Sequence, residues 1–149
     1  MRPSAAIPAA IPADVRVDIE DLLSEFSSRV DGGRGATVHE LFVESGRITT
    51  PQFALANREE IRERFTARAR DTSRKSRHYW SNPRFSGGPD EITVVTNTIT
   101  VVAMPGRPAT IISGTSTDVV VRRDCGWAFQ SRSLEVVFEG TLGPAEPKP

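Results

Sequence analysis

The chain has 149 residues, a formal net charge of zero and a charged fraction of 26%, so its size predicts one domain with a real hydrophobic core. Balanced charge is not typical of proteins that bind nucleic acids or membrane surfaces, which normally carry a basic excess. The single cysteine, Cys125, excludes a disulfide or a cysteine-based metal cluster within one chain, which favours a reducing cytoplasm.

The two ends of the chain differ in composition from the part between them. Residues 1–13 are rich in alanine and proline, and we expect a flexible arm rather than a secretory signal. Residues 141–149 contain further prolines, and we expect a disordered tail. No segment approaches the roughly 20 apolar residues of a membrane span. These observations predict one folded domain over residues 14–140.

Helical periodicity dominates the first half of the domain. Asp14 is the expected N-cap of a first helix, and the apolar residues after it recur on one face. They are Val15, Ile19, Leu22, Leu23, Phe26 and Val30. A capping-box pattern predicts a second, short helix over residues 37–43. Asn57 is the expected cap of a third helix, which extends to about residue 69.

The second half of the domain changes from helical periodicity to strand-like alternation. Residues 47–51 are expected to form a short strand or turn. Strand-like runs separated by turn residues then predict four long strands, and residues 91–103 are dense in β-branched residues. They cover residues 78–85, 91–103, 110–123 and 127–138. This order predicts an α+β fold in which three N-terminal helices pack on a curved, mostly antiparallel sheet. A curved sheet over a long helix would leave an internal pocket between them, a default place for a ligand.

Five local motifs occur in a characteristic order along this predicted fold. They are Asp31 after the first helix, residues 41–46 (LFVESG), residues 58–61 (REEI), residues 77–82 (RHYWSN), and the hairpin 118–132. Together they resemble the SnoaL-like family of the nuclear transport factor 2 superfamily, although Ser45 stands where that family usually has an aspartate. The resemblance implies a cone that binds a small organic molecule, and a homodimer formed through the outer sheet face.

Asp31 and His78 are the two residues with the strongest case for chemistry. A carboxylate is disfavoured at a helix C-terminus, so the position of Asp31 needs a compensating reason. Asp31 either caps a turn or points into the mouth of the cone, where it could act as a base. His78 opens a strand, and alternation predicts that it shares one face with Trp80 and Asn82, which would line the cavity. If Asp31 and His78 meet, they form a carboxylate–imidazole pair able to move protons near neutral pH.

Other residues have weaker cases. Asn97 and Asp118 are polar residues within predicted strands, and they either face outward or reach the cavity. His39 is expected to face solvent. Gly32 and Gly33 follow a helix rather than a strand, which is the wrong context for a nucleotide-binding loop. The aromatic and apolar candidates for the cavity lining are Leu22, Phe26, Phe42, Phe53, Phe65, Trp80 and Trp127.

We predict no metal and no cofactor, because the two histidines are far apart in the sequence and no ligand spacing is present. Arginines over residues 58–77 alternate with acidic residues, which indicates a solvated helix face rather than a nucleic-acid site.

The functional expectation is a cofactor-independent acid/base enzyme of the isomerase, cyclase, dehydratase or hydrolase type. Its substrate would be a small hydrophobic molecule, such as a polyketide-like or aromatic secondary metabolite. Scytalone dehydratase uses additional tyrosine and histidine residues, whereas this chain has one tyrosine and two histidines, which argues against that substrate. The alternative is a non-catalytic ligand-binding or subunit-partner module of the same fold, such as a dioxygenase small subunit.

Overall fold

The first helix, α1, spans Ala13–Asp31 in the computed structural model, which describes residues 11–143. Asp14 was expected to be its N-cap, but Pro12 holds that position and Asp14 lies in the first turn. A carboxylate there still favours the helix, because it faces the positive end of the helix dipole. The predicted N-terminal arm and C-terminal tail fall largely on residues 1–10 and 144–149, which lie outside the described residues.

The second predicted helix begins and ends two residues earlier than expected. It is a 3₁₀ helix, η1, over Gly35–Leu41. The chain becomes extended at Phe42 because this residue pairs with Phe129 of the last strand, so the prediction of helix up to residue 43 was wrong. The α2 helix spans Arg58–Arg70 and begins as predicted, with the Asn57 side chain accepting a hydrogen bond from the Glu60 amide at 2.9 Å.

The sheet contains six strands rather than about four. In chain order they are β1 (Phe42–Thr49), β2 (Ala54–Leu55), β3 (Lys75–Gly87), β4 (Glu91–Ala103), β5 (Thr110–Arg123) and β6 (Gly126–Thr141). Their spatial order is β2-β1-β6-β5-β4-β3. Neighbouring strands are antiparallel except β1 and β6, which are parallel. The four long predicted strands are β3 to β6, and the two short strands extend the sheet beyond β6.

The sheet has two faces of different character. Helix α1 packs against the inner face, where His78 lies opposite Thr100 of β4 and Trp80 lies opposite Thr98. Tyr79, the residue between them in sequence, points the other way and is exposed on the outer face. Any residue of β4 to β6 can be assigned to a face by its cross-strand partner, because directly opposed residues share a face.

The core lies between the helices and the inner face, and it contains a cluster of four phenylalanines. Phe26 of α1 makes edge-on contacts with Phe42, Phe65 and Phe129, with ring centroids 5.8–6.2 Å apart. Edge-to-face pairs of this kind contribute roughly 0.5–1.5 kcal/mol each beyond their buried area. The cluster therefore fixes α1, α2, β1 and β6 against one another, one and a half turns before Asp31.

Gly35 marks a close approach of η1 to α2. A Cβ atom at this position would lie 2.2 Å from the Phe65 carbonyl oxygen, so the two backbones can touch only if no side chain is present. We expect Gly35→Ala to lower the free energy of unfolding by about 1–3 kcal/mol, the usual cost of overpacking. Urea denaturation would measure the loss. Gly140→Ala is the control, because a Cβ there meets no atom within 4 Å, and an equal loss in both variants would contradict this reading.

Candidate active site

Asp31 and His78 meet where the end of α1 crosses the beginning of β3. The ring nitrogen Nδ1 of His78 lies 2.6 Å from Asp31 Oδ1, and the His78 backbone amide donates to Asp31 Oδ2 at 2.7 Å. Both oxygens of the carboxylate are therefore directed at one residue. The helix dipole disfavours a carboxylate at the C-terminus of α1, and these hydrogen bonds offset that cost.

Ser76 and Arg68 extend the hydrogen-bond network of the Asp31 carboxylate. Ser76 lies two residues before His78 on the same strand face, and its hydroxyl donates to Asp31 Oδ1 at 2.8 Å. The Ser76 hydroxyl in turn accepts a hydrogen bond from Nη2 of Arg68 at 2.9 Å. The sequence reasoning missed both residues. Ser76 could have been found from the sequence, because a residue two positions before His78 in a strand lies on the same face. Arg68 could not have been found in this way, because nothing in the sequence distinguishes it from the neighbouring arginines.

The pKa of Asp31 is set by two opposing influences. Burial acts to raise the pKa of this carboxyl group, but the hydrogen bond and charge of the His78 ring, the His78 amide and the Ser76 hydroxyl outweigh it. The net effect is a pKa below the usual aspartate value, so Asp31 is ionised at neutral pH. A carboxylate can only accept hydrogen bonds, so the neutral His78 ring is assigned the tautomer with its proton on Nδ1.

This arrangement leaves Nε2 of His78 as the nitrogen available to a substrate. The His78 side chain is 23% exposed, whereas that of Asp31 is only 9% exposed. The imidazole is therefore reachable while its carboxylate partner is shielded. An imidazole held in one tautomer by a shielded carboxylate can accept a proton at Nε2, and the carboxylate stabilises the resulting imidazolium.

The inner face next to His78 forms a half-buried, mainly apolar wall. Cross-strand register continues from His78 to Thr100 and Ile112, and from Trp80 to Thr98. The wall then reaches β6 at Leu134 and Val136. All of these side chains are partly exposed, in contrast to the fully buried core beyond them. Apolar surface of this kind, with a few polar groups, is typical of sites for small organic ligands.

Asp118 and Arg132 form a buried ion pair deeper on the inner face. Two nitrogens of Arg132 donate to the two carboxylate oxygens of Asp118, at 2.9 and 3.1 Å, and the Asp118 side chain has no exposed surface. Ser116 donates a further hydrogen bond to Asp118 at 2.9 Å. The Arg132 guanidinium also stacks on Phe26 and Phe129, at 4.0 and 4.5 Å from the ring centroids. Asp118 thus anchors an arginine under α1.

Two other polar candidates lie away from the pair. The alternation that predicted Asn82 beside His78 and Trp80 stops at a bulge after Ser81, where Asn82 has a φ of 53° and is exposed. Asn97 pairs with Ser81 on the outer face, so it is on the opposite side of the sheet from His78.

The predicted lining residues divide into core and wall. Phe42 has no exposed surface, and Leu22, Phe65 and Trp127 are also buried, so these four belong mainly to the core. Phe26, Phe53 and Trp80 are partly buried and pack against the core from its edge. Among these aromatic residues, Trp80 shares the inner face next to His78. His39, predicted to face solvent, is only half exposed, and its Nδ1 atom is buried.

A small cavity of about 220 Å³ lies behind the pair, at the end of α1. Its wall includes Asp31, Ser76 and Arg68, and its rim includes Arg74 and Lys75.

Across residues 11–143, no three histidine, cysteine, aspartate or glutamate side chains are placed to share a metal ion. Over the same range, no helix is long and apolar enough to cross a membrane.

A family model described as a SnoaL-like domain matches residues 12–133. The chain belongs to the SnoaL-like domain family. This confirms the resemblance seen in the sequence motifs. No curated protein matches the chain significantly.

Several solved structures share this fold. A candidate scytalone dehydratase from Novosphingobium aromaticivorans is 21% identical, with a TM-score of 0.78 over 93% of this chain and 97% of that one. The hexachlorocyclohexane dehydrochlorinase LinA-type3 from Novosphingobium barchaimii is 17% identical, with a TM-score of 0.77 over 91% and 95%. ActVI-ORFA from Streptomyces coelicolor is 18% identical, with a TM-score of 0.68 over 85% and 97%. At these identities the similarity establishes the fold of this SnoaL-like chain, not its reaction.

Proposed function

We propose that this SnoaL-like chain is a cofactor-independent enzyme that uses Asp31 and His78 to move a proton on a small hydrophobic organic molecule. The observation that carries the proposal is the 2.6 Å contact between Asp31 Oδ1 and His78 Nδ1. This contact orients Nε2 of a partly exposed imidazole as a base. The wall that continues from Thr100 to Ile112 would hold the apolar part of the substrate, and Trp80 would cover one side.

Elimination is the reaction type that the site supports best. In the proposed step, His78 Nε2 takes a proton from the carbon next to the one that bears the leaving group, and the C–H electrons form a double bond between the two carbons. The leaving group departs with the electrons of its bond to carbon, either as halide or, for a hydroxyl, as water after the His78 imidazolium gives it the proton. Two of the similar structures are named as a dehydratase and a dehydrochlorinase, and loss of water and loss of hydrogen chloride both require removal of a proton. Isomerisation and cyclisation begin with the same proton transfer, but the names of these two similar structures favour elimination.

The two histidines of the chain provide a matched test of this function. The protein would be incubated, without added cofactor, with a panel of hydrophobic molecules that carry an activated C–H bond beside a hydroxyl, halide or ring oxygen. Mass spectrometry would detect products. We expect turnover by the wild type and by His39→Gln, and a loss of about 10²- to 10⁴-fold in His78→Gln, the usual contribution of a general base.

Two outcomes would contradict the proposal. Equal turnover in wild type and His78→Gln would remove His78 from the chemistry. Binding of panel compounds without any product, in the wild type as in the variant, would favour the non-catalytic ligand-binding module.

We also propose that the outer sheet face forms a homodimer. Tyr79, Ile99, Val137 and Phe138 are exposed large apolar residues on β3, β4 and β6. Tyr79, Ile99 and Val137 line a groove of about 530 Å³. Exposed apolar surface of this extent commonly marks an interface. We expect sedimentation analysis to give a dimer for the wild type and a monomer for Val137→Lys, with Val17→Lys on α1 as the control. A monomeric wild type would overturn the proposal.

We place the protein in the cytoplasm. Cys125 is exposed and unpaired, which suits a reducing compartment.

A further inference from the structure

A chain of hydrogen bonds connects α2 to the imidazole of His78. Nη2 of Arg68 donates to Ser76 Oγ at 2.9 Å, and Ser76 Oγ donates to Asp31 Oδ1 at 2.8 Å. Asp31 Oδ1 is also the oxygen that faces His78 Nδ1 at 2.6 Å. Arg68 can only donate to Ser76 Oγ and the Asp31 carboxylate can only accept from it, so the hydroxyl proton is directed to Asp31. The arginine therefore sets the orientation of the hydroxyl, and the hydroxyl holds the carboxylate.

The charge of Arg68 depends on this chain for compensation. None of the ion pairs among the described residues includes Arg68. Burial lowers the pKa of Arg68 to about 10, and the charges of Arg74 and Arg64 act in the same direction. The carboxylate of Asp31 acts in the opposite direction. A partly buried cation without an ion pair carries a desolvation cost, and the hydrogen bond to Ser76 links Arg68 to the Asp31 carboxylate that offsets this cost.

We propose that Arg68, acting through Ser76, is a positioning residue for the Asp31–His78 pair. It keeps the Asp31 carboxylate ionised and turned towards Nδ1, so that His78 stays in the tautomer with Nε2 free. The catalytic consequence rests on the proposed function, whereas the positioning of the pair does not.

The surroundings of Asp31 leave few other groups that could play this role. From α1 it is approached by its own backbone, from β3 by Ser76 and His78, and from α2 by Arg68. Asp71, Arg74 and Lys75 stand at the rim of the cavity behind it. Asp71 accepts hydrogen bonds from Ser73 rather than from the chain that leads to His78.

Nuclear magnetic resonance of the free protein tests the positioning without any substrate. The carboxyl carbon of Asp31 would be titrated with pH, and the two ring nitrogens of His78 would report its tautomer. We expect the titration midpoint of the Asp31 carboxyl group to rise by about one pH unit in Arg68→Met and in Ser76→Ala. The Nδ1-protonated tautomer should predominate in wild type and lose that predominance in both variants. Arg68→Lys should restore part of both signals, because a cation remains.

Arg70→Met is the matched control, because Arg70 lies in the same last turn of α2 and is exposed. Its spectra should match those of the wild type. Unchanged Asp31 and His78 signals in both Ser76→Ala and Arg68→Met would overturn the proposal, and having two variants covers the case in which one does not fold.

Activity measurements separate this proposal from the proposed function. If the chain is an enzyme, Arg68→Met should lower kcat about tenfold with little change in KM, because the substrate does not touch Arg68. Altered spectra in a protein that turns over no substrate would support the positioning role and count against the enzymatic function alone. Altered spectra with an unchanged kcat in an active enzyme would overturn the catalytic part of the proposal.

Discussion

Replacement of Asp31 by asparagine is expected to lower kcat by about 10³- to 10⁴-fold. Asparagine has the same shape, but its amide has one acceptor oxygen and one donor nitrogen in place of two acceptors. In the native protein both oxygens accept hydrogen bonds from His78, and Oδ1 also accepts one from Ser76. The amide cannot satisfy all three donors, so it favours the wrong tautomer and leaves the imidazolium without a counter-charge.

Steady-state kinetics on the substrate found in the panel would measure this loss. Asp21→Asn is the matched control, because Asp21 is an exposed aspartate on the same helix, and it should retain wild-type kcat. Circular dichroism would show that both variants are folded. A kcat within threefold of wild type for Asp31→Asn would remove the carboxylate from the mechanism.

Replacement of Asp118 by alanine is expected to lower the free energy of unfolding by about 3–5 kcal/mol. The loss is large because the partner of Asp118 stays behind. Arg132 would remain buried between Phe26 and Phe129 without the carboxylate that accepts two of its hydrogen bonds. An uncompensated charge in a low-dielectric environment costs much more than the net contribution of the intact pair.

Urea denaturation of three variants would test this explanation. Asp90→Ala breaks the ion pair between Asp90 and Arg122, whose side chains are 76% and 46% exposed, and should cost at most about 1 kcal/mol. A double variant, Asp118→Leu with Arg132→Leu, removes both charges and should recover most of the stability lost in Asp118→Ala. A loss below 1 kcal/mol in Asp118→Ala would show that the buried pair is not needed to hold the inner face.

The long elements of the fold were predictable from the sequence because their signals are local. The apolar stripe of α1 repeats at helical spacing, β4 and β5 are dense in β-branched residues, and short turns separate the strands from β4 to β6. The short strands β1 and β2 were not predicted as a pair. Their pairing is decided by contact of β1 with β6, more than 80 positions later, and no local pattern carries that information. The same contact ends η1 before residue 43.

The candidate site was predicted only in part, and the reasons are physical. Asp31 and His78 stood out because each has an unusual place relative to a helix or strand end. Asn82 was assigned to their face by strict alternation, which one bulge interrupts. Ser76 and Arg68 act through contacts between elements, and an arginine in a helix rich in arginines gives no sign of which one turns inward.

The claim that Asp31 and His78 act as one proton-transfer unit is tested most directly by a double-variant cycle. The kcat values of Asp31→Asn, His78→Gln and the double variant would be compared with wild type. If the two residues act together, the double variant should be no more than about threefold slower than the slower single variant, because removing one member already disables the pair. Losses that multiply in the double variant, or wild-type turnover in either single variant, would contradict the account.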